Sequence, residues 1–436
     1  MLRFKIWEKP ILIIFTLFVL TSSVIIPASI PEEGVIMSNS VDKPLVNQKE
    51  IIQKEVKLYK VHQQNLKDAL NTYFKKAIAS GDIVGSGVSI VRGGSIVISD
   101  GFGKKNISFN DGVDEETIFR LGSLSKGFTG VLAADLKCEG KLDWSDKVSD
   151  YIPGFQLGDS NNSDHITLAN ILSHTSGTPY HSYTNLIEAG LPLTEIASRF
   201  KAVIPICKPG SMYSYQNAMF ALSGEMMHQE TGQDISTLLN TKFFKPLQMD
   251  HTSMDYETLA HAENVALPHS KRRHGWKTLK LNDHYYNAVA AGGINASALD
   301  MAKWMQLLLG HHPEIMDKTA LQEAFNPFIE IKGHSKYYQR WPGHVSSYYG
   351  FGWRIHKFMD LDEQKTILHH GGSVNNYRNE IAVYPEDDLG ICVLLNSNSK
   401  LAKTVIPDLY KIVKEVFNDT NSKITPDHNT KVASTF

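Results

Sequence analysis

An α+β fold is predicted: one antiparallel sheet flanked by N- and C-terminal helices, with a mainly helical subdomain inserted. Three features point to it. Segments with strand periodicity lie at both ends of the chain, at 88–92 and 95–98 around Gly93-Gly94, and at 365–369, 380–384 and 390–395. Segments with helical periodicity bracket them, at 56–78 and 401–417. The interval between, about 140–290, reads mostly as helix and loop. Strands so far apart in sequence bury their faces most simply in one sheet covered by the flanking helices.

The elements follow in order. Residues 1–10 carry Arg3, Lys5 and Lys9 against Glu8, and 11–20 are apolar apart from Thr16. A positive start, a short apolar core and then Thr21-Ser22-Ser23 make a secretory signal over 1–30, with an uncleaved anchor extended through Val24-Ile25-Ile26 as the alternative. Either way the body of the protein is expected outside the cytoplasm, periplasmic or extracellular. Residues 31–55 read as a linker, 56–418 as the folded body and 419–436 as a polar tail. Within the body, Ser123 opens a helix that stops at Gly140, a second helix covers 217–230 with Gly232 as its stop, and a third covers 298–309.

With 436 residues, 42% hydrophobic and 21% charged, the chain is long enough for a sizeable core with two subdomains. A net charge of −2 gives no global attraction to nucleic acid. Lys271-Arg272-Arg273-His274 is a short basic run, read as a solvated loop. Cys138, Cys207 and Cys392 show no disulfide framework or zinc spacing and are read as small buried hydrophobes, with one bridged pair in an oxidising compartment as the alternative. The 18 histidines include no H-x-H-x-D or H-E-x-x-H pattern, so no metal and no cofactor is assigned.

The chemistry is concentrated in Ser123-Leu124-Ser125-Lys126. A serine hydroxyl needs a nearby proton acceptor to act as a nucleophile. On a helix, Lys126 lies on the face of Ser123. S-x-x-K alone is weak, because an N-cap serine and a solvated lysine produce it too. Two further elements strengthen it: Tyr215-Gln216-Asn217 and His370-Gly371-Gly372-Ser373. Taken singly, Tyr215 reads as a packed aromatic, Asn217 as a cap and His370 as a strand-end histidine; S-x-x-K in combination with two such elements is a catalytic signature.

Together, in this order, the three elements resemble those of class C β-lactamases among the penicillin-recognising serine hydrolases. The similarity takes in Leu172–Pro179, Pro209-Gly210, Gly292-Gly293, Asp300-Met301-Ala302 and Tyr349–Trp353, and covers about 65–418. The resemblance implies a β-lactamase/transpeptidase-like fold. It also implies a hydrolase that forms an acyl-enzyme on Ser123, with Lys126 and Tyr215 as proton-handling groups. Asn217 would hold Lys126 and a substrate amide, and the backbone N–H groups of Ser123 and Ser373 would take the oxyanion. Gly371 and Gly372 would let substrate lie along the strand. The expected partner is a small molecule or peptide: a β-lactam, a D-amino-acid peptide or an ester. A membrane would be involved only through an uncleaved N-terminal segment.

The departures matter. His370 stands where class C enzymes have lysine and is expected to be only partly charged at neutral pH. Gly371 stands where threonine or serine is usual, removing a hydroxyl. Phe119-Arg120 replaces Phe-Glu. These keep an esterase or D-aminopeptidase open beside a β-lactamase or penicillin-binding peptidase; a non-catalytic scaffold is disfavoured by Ser123, Lys126 and Tyr215. Beside Lys126 the Tyr215 phenol is expected to acidify. His174 is read as holding a turn, and Lys277-Thr278-Leu279 as a decoy of the third element.

Overall fold

The computed structural model describes residues 48–418. The expected leader (1–30), residues 31–47 of the linker and the tail (419–436) lie outside the described residues. Among the described residues, eight strands form one antiparallel sheet. They are β1 (Gly85–Arg92), β2 (Ser95–Gly103), β3 (Ile329–Glu330), β4 (His344–Tyr349), β5 (Arg354–Asp360), β6 (Glu363–Val374), β7 (Tyr377–Tyr384) and β8 (Leu389–Leu395). Their spatial order is β2-β1-β8-β7-β6-β5-β4-β3. The two ends of the chain meet where β1 pairs with β8, from Ser86 opposite Leu395 to Arg92 opposite Leu389. Gly93 and Gly94, at φ 57° and 72°, close the β1–β2 hairpin with the positive dihedrals that a two-residue turn needs.

The principal helices are α1 (Gln48–Ala79), α2 (Ser125–Cys138), α3 (Asn217–Thr231), α4 (Ala298–Leu308) and α5 (Val405–Asn418). The sheet is buried on both faces. Leu389, Ile391, Val393 and Leu395 of β8 pack in one core with Leu66, Leu70 and Phe74 of α1 and Leu409 and Val413 of α5. Cys392 and Leu394, on the other face, join a second core built on α2, α3 and α4. The period of two along the strand therefore sorts side chains between two apolar layers. On α1 the spacing Leu66, Leu70, Phe74 produces a single buried stripe.

Several local readings change. Helix α1 starts at Gln48, inside the stretch read as linker. The basic run 271–274 is not a loop but the end of a small hairpin, His269–Arg272 with Gly275–Thr278; the decoy Lys277-Thr278 lies on its second strand, and the run interrupts the mainly helical 140–290 interval. Among the cysteines Cys392 alone is buried; Cys207 is half-buried and Cys138 exposed, and all three are free thiols. Strands β3, β4 and β5 extend the sheet beyond the strands read from the sequence.

Candidate active site

The α2 segment begins with a 3-10 turn, Gly122–Leu124, rather than at Ser123 itself. Gly122 has φ +57°, and a Cβ there would stand 2.9–3.0 Å from the Ser373 backbone. Only glycine allows the turn before Ser123 to press against β6 in this way. Strand β6 is paired with β5 only as far as His369 opposite Arg354, whereas its pairing with β7 continues to Val374. Among the described residues the β5-side edge from His370 to Val374 is thus free of a strand partner. Ser123 and that edge, with Gly371 and Ser373, line one pocket of about 360 Å³. Tyr215, Asn217, Tyr285, Tyr337 and Arg354 line it too.

Lys126 is fully buried one turn below Ser123. Its Nζ lies 3.4 Å from Ser123 Oγ, 2.8 Å from Asn217 Oδ1 and 2.6 Å from the Ala291 carbonyl. Among the described residues no carboxylate pairs with it. Burial, with Arg354 nearby, holds its pKa well below the ordinary lysine value. As a neutral amine it still donates to Asn217 and Ala291, which turns its lone pair toward Ser123.

The structure brings the phenol to the same place. Lys126 Nζ lies 5.0 Å from the centroid of the Tyr215 ring, which is 7% exposed. The expected acidification does not occur: burial pushes the phenol up to about 12, against the pull of the Arg354 guanidinium and the neighbouring Ser123 hydroxyl. Desolvation of an anion outweighs the cation beside it. Asn217 opens α3 without acting as a side-chain cap. Its amide is divided between Lys126 and the Tyr285 hydroxyl, to which Nδ2 donates at 3.1 Å, so the nitrogen expected to meet substrate already has a partner.

His370 departs most from expectation. It is fully buried, and burial together with the Arg354 charge holds its pKa well below the ordinary value, so it is neutral rather than partly charged. Its partners assign its protons. Gln216 N–H donates to His174 Nδ1 (3.2 Å), leaving His174 Nε2–H to donate to Tyr349 Oη (3.1 Å). The Tyr349 hydroxyl donates to His370 Nε2 (3.0 Å), and His370 Nδ1–H donates to the Gly371 carbonyl (2.9 Å). This chain ties the Tyr215 segment to β6. His174, at φ 59°, holds a turn and also forms part of this tie.

The hydroxyl absent at Gly371 has a replacement. A Cβ at 371 would meet Tyr337 Oη at 2.7 Å and Glu380 Oε2 at 2.8 Å, and Tyr337 donates to that carboxylate at 2.8 Å. Arg120 is buried and donates to Asn282 Oδ1 (2.8 Å) and the His284 carbonyl, fixing the loop that carries Tyr285. Sequence reasoning missed Arg354, Tyr285 and Tyr337. Arg354 has a usable signal: it follows the Tyr349–Trp353 stretch and begins an alternating strand.

The beta-lactamase family profile matches residues 70–411. Protein flp of Staphylococcus aureus is 24% identical over 342 residues, 78% of this chain, and the chain spans 65% of that relative's length. A beta-lactamase of Escherichia coli is 24% identical over 367 residues, covering 77% of this chain and 90% of the relative. The solved structure of an octameric penicillin-binding protein homologue from Pyrococcus abyssi superimposes with a TM-score of 0.66 at 24% identity, over 79% of this chain and 77% of that one, and shows the same fold. The matched span runs from α1 into α5 and contains the whole pocket around Ser123; the chain belongs to the beta-lactamase family.

Proposed function

We propose that the chain is a serine hydrolase that forms an acyl-enzyme on Ser123, acting on β-lactams or D-Ala-D-Ala-type peptides. The observation that carries this is the buried Lys126 amine, which has no carboxylate partner among the described residues, lies 3.4 Å from Ser123 Oγ and is held by two fixed acceptors. In acylation the Ser123 proton passes to the Lys126–Tyr215 pair as Oγ bonds to the carbonyl carbon. The N–H groups of Ser123 and Ser373 receive the oxyanion, and loss of one such donor costs about 10²–10³ in rate. The leaving group departs with a proton from the same pair, and water then releases the acyl group. Lys336 and Arg378 line the pocket against Glu188, which favours a substrate carrying a carboxylate. Export belongs to the same proposal and rests on the composition of residues 1–30.

A second reading, an esterase or D-aminopeptidase, is favoured by the neutral, buried His370, which supplies no cation at the lysine position. The test is a probe panel on purified protein with mass spectrometry. A lasting fluorescent-penicillin adduct on Ser123 marks a penicillin-binding peptidase, and rapid nitrocefin turnover marks a lactamase. Turnover of p-nitrophenyl esters without either marks the esterase. Ser123→Ala is expected to abolish every adduct with the fold intact; labelling that survives this substitution sinks the assignment.

A further inference from the structure

Arg354 is the first residue of β5, opposite His369 on one side and Tyr349 on the other. Its guanidinium lines the Ser123 pocket, yet its Nε and Nη1 are buried with no hydrogen-bond partner. Among the described residues it forms no ion pair. Its surroundings are aromatic: Cζ lies 5.1 Å from the Tyr338 ring centroid, 5.9 Å from Tyr349 and 6.0 Å from Tyr215. A buried charge without a counter-charge costs several kcal/mol, so its retention here needs a reason.

Tyr215 supplies one. Of the phenols around Arg354, Tyr215 is the one with Ser123 as a neighbour. Each element packed around the pair offers groups that bear on its charge. The turn at 174–181 brings His174, Tyr180 and His181, and the strand ends bring Tyr349 and His370. Tyr213, Tyr337 and Tyr338 are phenols, and Lys336 and Arg378 are cations farther along the pocket wall. Lys126 is committed to Asn217 and the Ala291 carbonyl, and His370 is locked between Tyr349 and Gly371. Among the described groups facing the phenol, Arg354 alone is always charged with two buried donors, Nε and Nη1, left without a partner.

We propose that Arg354 is a positioning residue that acts through Tyr215, holding the negative charge that develops on the phenol oxygen as it gives its proton to Lys126 and takes the Ser123 proton. The step balances: the phenol proton passes to the neutral Lys126 amine, the Ser123 O–H bond breaks and its proton moves to the phenolate so formed, and the serine oxygen forms the new bond to the acyl carbon. The phenolate is neutralised and the oxyanion carries the charge. Arg354 forms and breaks no bond. This rests on the acyl-enzyme reading above.

The test is the rate of acylation by p-nitrophenyl acetate, a neutral ester, between about pH 6 and pH 9, in wild type, Arg354→Gln, Arg354→Lys, Tyr215→Phe and the Arg354→Gln/Tyr215→Phe double variant. A cation within about 4–6 Å of an ionising group moves its pKa by about one unit or more, so Arg354→Gln is expected to lower the rate about ten-fold. Arg354→Lys, which keeps the charge, is expected to recover most of it. In the Tyr215→Phe background, Arg354→Gln is expected to change the rate by less than about two-fold, since the group it acts through is gone. The proposal fails if the ten-fold loss persists in that background, or if it never appears. It also fails if only the KM of an anionic ester rises, which makes Arg354 a carboxylate-binding group. Wild-type protein that is not acylated at all sinks the serine assignment, and this proposal with it. Removing an unpaired buried charge breaks no ion pair, and Arg354→Lys keeps the test decisive if Arg354→Gln fails to fold.

Discussion

The Tyr349 hydroxyl stands between two imidazoles and satisfies both, accepting from His174 Nε2–H and donating to His370 Nε2. All three side chains are fully or almost fully buried, so neither imidazole can turn to water. Tyr349→Phe therefore leaves one buried donor and one buried acceptor without partners while barely changing volume. An unpaired buried polar group costs about 1–3 kcal/mol. The variant is expected to lose about 2 kcal/mol or more in urea unfolding, and the segment carrying Tyr215 is expected to loosen, read as faster exchange of the Gln216 amide. A loss below about 0.5 kcal/mol would mean the hydroxyl is dispensable. This is also the scale at which the sequence says least. His174, Tyr349 and His370 are far apart in the chain, and His369-His370 reads as an adjacent pair. Only the pleat of β6 shows that the two point apart, His369 toward His356 and Glu380, His370 toward Tyr349.

At the scale of elements, α2 holds Lys126, and the 3-10 turn before it holds Ser123, only because α2 can lie directly on the Tyr349–Trp353 stretch. Gly130 makes this approach: a Cβ there would sit 1.8 Å from the Phe351 carbonyl oxygen. The clash is with backbone, which cannot turn aside. Gly130→Ala is expected to destabilise by about 2 kcal/mol or more despite the higher helix propensity of alanine, which would otherwise add about 1 kcal/mol. Thermal denaturation decides the sign, and a raised Tm would show that α2 is not held this closely. Helix α2 and the β1–β2 hairpin are legible because glycines mark their stop or turn, and β6 to β8 because each contains a short apolar run. Strands β4 and β5 are not. In His344–Tyr349 adjacent serines break the alternation, in Arg354–Asp360 charged and imidazole groups alternate with apolar ones, and half-buried His344 and buried Ser347 and His356 pair with one another. A hydrophobic period cannot show that kind of burial.

Across the whole molecule the same polar pairing sets the response to acid. A second chain crosses four strands: His344 Nε2–H donates to Ser347 Oγ (2.7 Å), Ser347 to His356 Nδ1 (2.8 Å), His356 Nε2–H to His369 Nδ1 (3.1 Å), and His369 Nε2–H to Glu380 Oε2 (2.8 Å). Burial holds His174, His356, His369 and His370 well below the ordinary histidine pKa. A base depressed on folding contributes stability above its unfolded pKa of 6.5 and loses it as pH falls. Glu380 opposes them. Burial raises its carboxyl to about 7, so its contribution is complete below 4.5 and is lost as pH rises toward 7; buried Asp300 is raised in the same sense. Four histidines outweigh two carboxyls, and unfolding therefore takes up protons between about pH 6.5 and pH 4.5. Wild-type protein is expected to lose stability steadily over this window, measured as the urea midpoint at about pH 7 and pH 5. Glu380→Gln removes one opposing group, so its midpoint is expected to fall further over the same interval. A wild-type midpoint that rises on acidification would show that these imidazoles are charged in the fold.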